Sequence, residues 1–275
     1  MTEGEAGAGV AAGAGSGVAA GSGSGAGGNV GSGSGTEPLA PVGPRRRLAN
    51  ALRTTIIATV AADVDDGTVL AAAEEVEDLN RRLAAAAGPD KLPRRPPDFG
   101  AEAQEYFPTS PVIGWCNPLA PPVEVQVVDG RDGGFREIAG TAWFDYPYEG
   151  PPTCVHGGVI AETFDELLGA SLLAAGLPGM TGTLTIRYRK PTPLRAELRL
   201  EARCLRQEGR KVFAWGAIHH GDTMTAEAEG VFIMVGPSRL LAIAEGNIES
   251  ANPAMLEAIR AEALREGAAS DVHPA

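Results

Sequence analysis

The sequence predicts an α+β fold in which an antiparallel sheet of about six strands curls around one central helix, preceded by a helical extension and a disordered glycine-rich tail. Three observations carry this. Residues 123–128, 135–145, 183–189, 197–206, 211–219 and 224–235 read as strands. Between the second and third lies an apolar run with helical spacing: Val159, Ile160, Phe164, Leu167, Leu168 and Leu172. In the fourth, Leu198, Leu200, Ala202 and Cys204 alternate with Glu197, Arg199, Glu201 and Arg203, the mark of a sheet with one wet face. Two strands, a helix and then a four-strand meander fit a sheet wrapped on a helix.

Taken in order, residues 1–42 are nearly all Gly, Ala, Ser and Val, too poor in large apolar side chains to offset the entropy of ordering. A tail is expected there. Residues 43–119 hold two helices and a proline-rich lead-in. Leu48, Leu52, Ile56 and Val60 fall four apart in 48–62, and Val69, Val76, Leu79 and Leu83 keep helical spacing in 68–87 before Gly88-Pro89 stops the run. Asp63, Asp65 and Asp66 lack the glycine and glutamate offsets of a calcium loop and read as turn and helix-end residues. Arg45, Arg46 and Arg47 read as a solvated helix start. From 92 to 122 the prolines and aromatics, Tyr106, Phe107 and Trp115 among them, argue for an extended segment laid over the core, where it can line a pocket. Strands and central helix fill 120–240. A helix over 252–267 (Met255, Leu256, Ile259, Leu264) falls within a last segment, 241–275.

With 275 residues and a net charge of −12, the chain has room for one sizeable domain plus extra segments, and its charge argues against nonspecific nucleic-acid binding. Three cysteines, Cys116, Cys154 and Cys204, form an odd set without paired spacing and suit a reducing compartment. No apolar run approaches the roughly 20 residues that span a bilayer, and the N-terminus lacks a basic start followed by a leucine-rich stretch. The expectation is a soluble cytoplasmic protein without a membrane span.

The chemistry concentrates at His156-Gly157-Gly158. Entering a helix through these residues leaves backbone N–H groups at its start, where the helix dipole also favours developing negative charge, so they suit an oxyanion. Asp165 follows nine residues after the histidine, roughly two turns further along at about 3.6 residues per turn. It sits between Phe164 and Leu167, where an unpaired buried carboxylate would cost several kcal/mol unless it served a purpose. Glu162 and Glu166 flank it on the same helix, and spacing alone also admits Glu162, one turn earlier. His156 reads equally as a residue holding the turn.

The string His156-Gly157-Gly158, with Asp165, Gly169, Thr181 and Arg187-Tyr188-Arg189-Lys190-Pro191, resembles the PaaI-type hotdog thioesterases, and among them the mammalian-type acyl-CoA thioesterases. The resemblance spans about residues 120–236. It implies a hotdog fold, hydrolysis of acyl-CoA thioesters in lipid metabolism, and no cofactor. Asp165 would be the base or nucleophile, the Gly157 and Gly158 amides would polarise the carbonyl, and Thr181 would steady the water. It further implies that His156 and Asp165 of one site come from different protomers, hence a homodimer or a dimer of dimers.

Residue by residue, alternatives stay open. Thr183 and Thr185 share a strand with Thr181, and strand threonines are common for β-propensity alone. Alternation puts Leu184, Ile186 and Tyr188 on one face and Thr183, Thr185, Arg187 and Arg189 on the other. Arg187, Arg189 and Lys190 are candidate holders of the CoA phosphates. Arg206, Arg210 and Lys211 on the next hairpin read as solvent-face charges. Cys154, two residues before His156, lacks the partners of a cysteine nucleophile. His219 and His220 point to opposite faces of a strand and do not share an ion, so no metal is expected. Two rival functions are a non-catalytic acyl-CoA-binding module and an enoyl-CoA hydratase. The second needs a histidine about five residues after the acid, where Gly169 and Ala170 stand.

Overall fold

A computed structural model describes residues 43–86 and 107–236, with helical positions at 238–239, 241–242, 260–261 and 264 beyond them. The tail over 1–42, the lead-in before residue 107 and most of the helix expected over 252–267 lie outside the described residues. Helix α1 (Pro44–Ala61) opens with proline in its first turn, where the missing N–H costs nothing. Arg53 fixes it to the lead-in, donating to the Ala120 carbonyl at 2.6 Å and the Asn117 carbonyl at 3.0 Å. Arg46 lies over the Trp115 ring, 4.3 Å from its centroid, so this arginine is packed rather than simply solvated. Helix α2 (Asp66–Ala86) buries none of its residues. Asp65 caps it, accepting from the Thr68 N–H at 3.0 Å and the Thr68 hydroxyl at 2.7 Å, which is the helix-end role expected of it.

Six strands follow: β1 (Val123–Val128), β2 (Glu137–Ala142), β3 (Gly179–Tyr188), β4 (Leu198–Glu208), β5 (Lys211–His220) and β6 (Thr223–Met234). They form one antiparallel sheet curled in the order β1-β2-β4-β5-β6-β3. Helix α3 (Gly157–Ala174) lies between β2 and β3 in sequence and packs against β2 through β6. Ile160, Phe164, Leu167, Leu168 and Leu172 are buried against Ile138, Leu200, Ile218, Ala228 and Phe232. Gly176, at φ +72°, ends the helix: its N–H returns to the Leu173 carbonyl at 3.0 Å, and that of Leu177 to the Leu172 carbonyl at 2.9 Å.

Two expectations are corrected. The strand expected over 135–145 covers only Glu137–Ala142, and Tyr146–Tyr148 forms a short 3-10 turn that Asp145 caps with its side chain. The four-strand meander is a three-strand one, because β3 pairs with β6 at the far edge and β4 pairs with β2. The reason lies in the link from β3 to β4. Pro191 and Pro193 supply no N–H for a ladder. The link is instead pinned beside the start of α3: Val155 donates to the Thr192 carbonyl, Leu194 to that of Thr153, and Arg195 to that of Phe144, all within 2.9 Å. The chain therefore crosses at the helix start and enters β4 next to β2.

Candidate active site

At the start of α3, His156 is the N-cap, and its imidazole Nδ1 accepts the Gly158 N–H at 3.0 Å. An accepting Nδ1 leaves the ring proton on Nε2. A Cβ at Gly158 would stand 3.0 Å from that same Nδ1, tight enough that the imidazole would have to shift slightly. The Val159 and Ile160 N–H groups turn back to the His156 carbonyl. The Gly158 amide, one of the two expected oxyanion donors, is thus engaged by His156. The Gly157 N–H makes no hydrogen bond among the described residues. Tyr188, the last residue of β3, donates its hydroxyl to the Gly157 carbonyl at 2.9 Å, a contact that no motif or spacing in the sequence signalled.

Two turns along α3 stands Asp165. Its Oδ1 accepts the Thr181 hydroxyl at 2.7 Å, joining two of the expected residues from different elements. Asp165 is exposed in the single chain rather than buried, because it leaves the helix on the side of an open cavity. That cavity, about 560 Å³, is lined by Asp165, Gly169, Thr181, Phe107, Pro111 and Phe232, among others, and its size suits a small organic group. Phe107 and Pro111 belong to the lead-in, which does line the pocket. Glu166 borders the same cavity; Glu162, a turn earlier, is exposed away from it.

The register of the strand separates the three threonines. Thr181 pairs with Phe232 and Thr183 with Val231, so Gly182 is an extra residue, a β-bulge. Thr183 and Thr185, opposite Val231 and Glu229, stay on the outer face. The bulge turns Thr181 onto the face of its buried partner Phe232, toward α3 and Asp165. Simple alternation would have put all three threonines on one face. Gly182, an isolated glycine inside a strand, was the signal in the sequence.

The basic end of β3 is already engaged. Arg187 pairs with Glu229 at 2.7 Å, and Arg189 Nε donates to Glu227 at 3.1 Å, both acids lying on the neighbouring β6. Arg189 beside Glu227 holds that carboxyl below its usual range. Among the described residues Lys190 makes no ion pair. Arg206 pairs with Glu208 and lies over the Phe213 ring. His219 bonds Glu201 at 2.9 Å, while His220 is exposed. Cys204 is buried, which pushes its thiol up to about 11, far from a thiolate at neutral pH. Cys154 is half-buried next to the helix cap.

Gly157 and Asp165 are eight residues apart on one helix, about 12 Å along its axis at 1.5 Å per residue. A single thioester carbonyl does not reach both within one chain, and the cavity at Asp165 has neither His156 nor Gly157 in its wall. The start of α3 and the cavity at Asp165 are therefore separate places on one chain.

Residues 153–227 match the thioesterase superfamily profile. Over 94 residues the chain is 39% identical to acyl-coenzyme A thioesterase THEM4 of Xenopus laevis, and over 95 residues 36% identical to that of Mus musculus. Those matches take in 33% and 34% of this chain, and they span only 42% and 41% of the relatives' own lengths. The crystal structure of a thioesterase superfamily protein superposes with a TM-score of 0.60 at 32% identity, covering 70% of this chain and 91% of that one. With a shared sheet and helix and near-complete coverage of that relative, the chain belongs to the thioesterase superfamily.

Proposed function

We propose that the protein hydrolyses acyl-CoA thioesters to the free acid and CoA. The observation that carries this is the Thr181 hydroxyl held on Asp165 at the wall of a cavity. Because Thr181 spends its proton on Oδ1, its oxygen lone pairs and the second Asp165 oxygen are left to accept the two protons of one water. That water attacks the thioester carbon and passes a proton to Asp165. The carbonyl oxygen, now negative, takes the Gly157 N–H, and the Gly158 N–H if His156 swings aside. Collapse breaks the C–S bond, and Asp165 returns the proton to the departing sulfur.

The donor and the acid meet only across two chains. β3 is an edge strand, so its outer side is open to a second copy, and the proposed active form is a homodimer or a pair of dimers. The CoA phosphates are assigned to Lys190 with Arg187 and Arg189, the two arginines exchanging their glutamates for phosphate on binding. A cytoplasmic setting fits the unpaired thiols of Cys116, Cys154 and Cys204. No helix among the described residues is long and apolar enough to cross a membrane.

The test is thiol release from a panel of aliphatic and aromatic acyl-CoAs, comparing the wild type with Asp165→Asn. Release by the wild type and none by the variant is the expected result. Equal rates would discard Asp165, and tight binding without release would favour a binding module.

A further inference from the structure

The structure assigns Tyr188 a role as a positioning residue for the oxyanion donors at the start of α3, an inference that rests on the hydrolase reading. Two side chains grip the same peptide unit. The Tyr188 hydroxyl donates to the Gly157 carbonyl at 2.9 Å, and the N–H of that same peptide, which belongs to Gly158, is accepted by His156 Nδ1 at 3.0 Å. The tyrosine ring also lies against Gly157, where an added Cβ would meet its hydroxyl at 3.5 Å and its ring at 3.6 Å. The Gly157–Gly158 peptide is therefore held from both ends, at its carbonyl by Tyr188 and at its N–H by His156.

Two consequences follow for chemistry. A hydrogen bond received at a carbonyl polarises the N–H at the other end of the peptide, so Tyr188 makes the Gly158 amide a better donor once His156 releases it. Glycines at the first two positions of a helix have wide backbone freedom, and a donor that wanders supplies less stabilisation to a developing charge. The position of Tyr188 makes the device specific. It ends the same strand that carries Thr181, so one strand sets the water-holding group near its beginning and the oxyanion donors at its end.

Tyr188→Phe keeps the ring against Gly157 and removes only the hydroxyl. With the acyl-CoA that the wild type turns over fastest, kcat should fall on the order of 10-fold, less than the loss from deleting a donor outright, while KM stays within about twofold. A second readout separates positioning from general support. In an Asp165→Asn background that binds but does not turn over the same acyl-CoA, adding Tyr188→Phe should move the infrared stretch of the bound thioester carbonyl to higher frequency. An unchanged kcat and carbonyl stretch in the variant, beside an active wild type, overturns this assignment alone. A fall in kcat matched by a lower melting temperature and an unmoved carbonyl stretch also overturns it, by showing that the hydroxyl only supports the fold. A wild type that releases no thiol from any thioester overturns the hydrolase reading and this assignment with it.

Discussion

The two ends of the site on α3 are finished in opposite ways. At the helix start, polar groups are satisfied within the chain: His156 takes the Gly158 N–H, Tyr188 bonds the Gly157 carbonyl, and one amide is left over. At Asp165 the carboxylate meets one hydroxyl and otherwise faces an open cavity. The helix start holds His156 and the glycine amides; the cavity wall holds Asp165 and has neither His156 nor Gly157. The difference teaches that what looks like a compact motif in sequence, a histidine and an acid nine residues apart, is two places set about two turns apart along one helix. Under the proposed function, catalysis is a property of the assembled protein.

The largest effect should come from the open end. Asp165→Asn removes the only proton acceptor in the proposed reaction and should lower kcat by roughly 1000-fold or more, checked by thiol release, with circular dichroism unchanged because the side chain is exposed.

Next in size is Gly157→Pro, which deletes the leftover amide without breaking the helix. Proline is welcome at the first helical position, and His156, at φ −60° and ψ 135°, already has the extended conformation that a following proline requires. A loss of about 100- to 1000-fold in kcat is expected. Mixing this variant with Asp165→Asn should then restore about a quarter of wild-type activity, since random pairing makes half of the dimers mixed and each mixed dimer holds one intact site. No recovery on mixing would mean that each chain completes its own site.

A smaller effect is expected at the bulge. Thr181→Ala should cost about 10- to 100-fold in kcat, whereas Thr183→Ala, two residues on but on the outer face, should leave the rate within about twofold. Equal losses at the two positions would contradict the opposite facing of these two threonines.

Least of all should be felt at α2, which buries none of its residues and lines no part of the cavity at Asp165. Hydrogen bonds from Thr68 hold the Asp65 carboxyl below its ordinary value of 3.8. A lowered native value means the cap stabilises the helix fully above that ordinary value and is lost as the pH falls through the native one. Helicity by circular dichroism should therefore drop slightly more in acid for the wild type than for Asp65→Asn, with turnover at neutral pH equal in the two.

Much of the fold was legible because it is written in periodicities. Among the described residues, the six strands and three helices fall close to where alternation and the spacing of Leu48, Val69 or Phe164 place them, since one buried face per element requires that pattern. The order of strands was not legible: whether β4 pairs with β3 or with β2 depends on where the 189–197 link is pinned, and those bonds are to backbone atoms of residues 144–155 that carry no side-chain signature. In the site, the residue types were legible and their states were not. Asp165 sits in an apolar helical run, yet it is exposed because it lies on the helix side that, with Glu166 and Gly169, borders the cavity. Arg187 and Arg189 look free in sequence, and the register with β6 sets Glu227 and Glu229 beside them.

By itself, then, the sequence determined which segments are helix and strand, which faces are apolar, and that a helix start rich in glycine stands a fixed distance before a carboxylate. Those are local matters, settled by the geometry of 3.6 and 2 residues per repeat. Only the tertiary structure decided which threonine meets Asp165, which amide of the glycine pair is taken, and that Tyr188 closes on the helix start. Each of these is a contact between elements far apart in the chain, fixed by a one-residue bulge and a crossing link, and pairwise geometry of that kind has no period for a sequence to display.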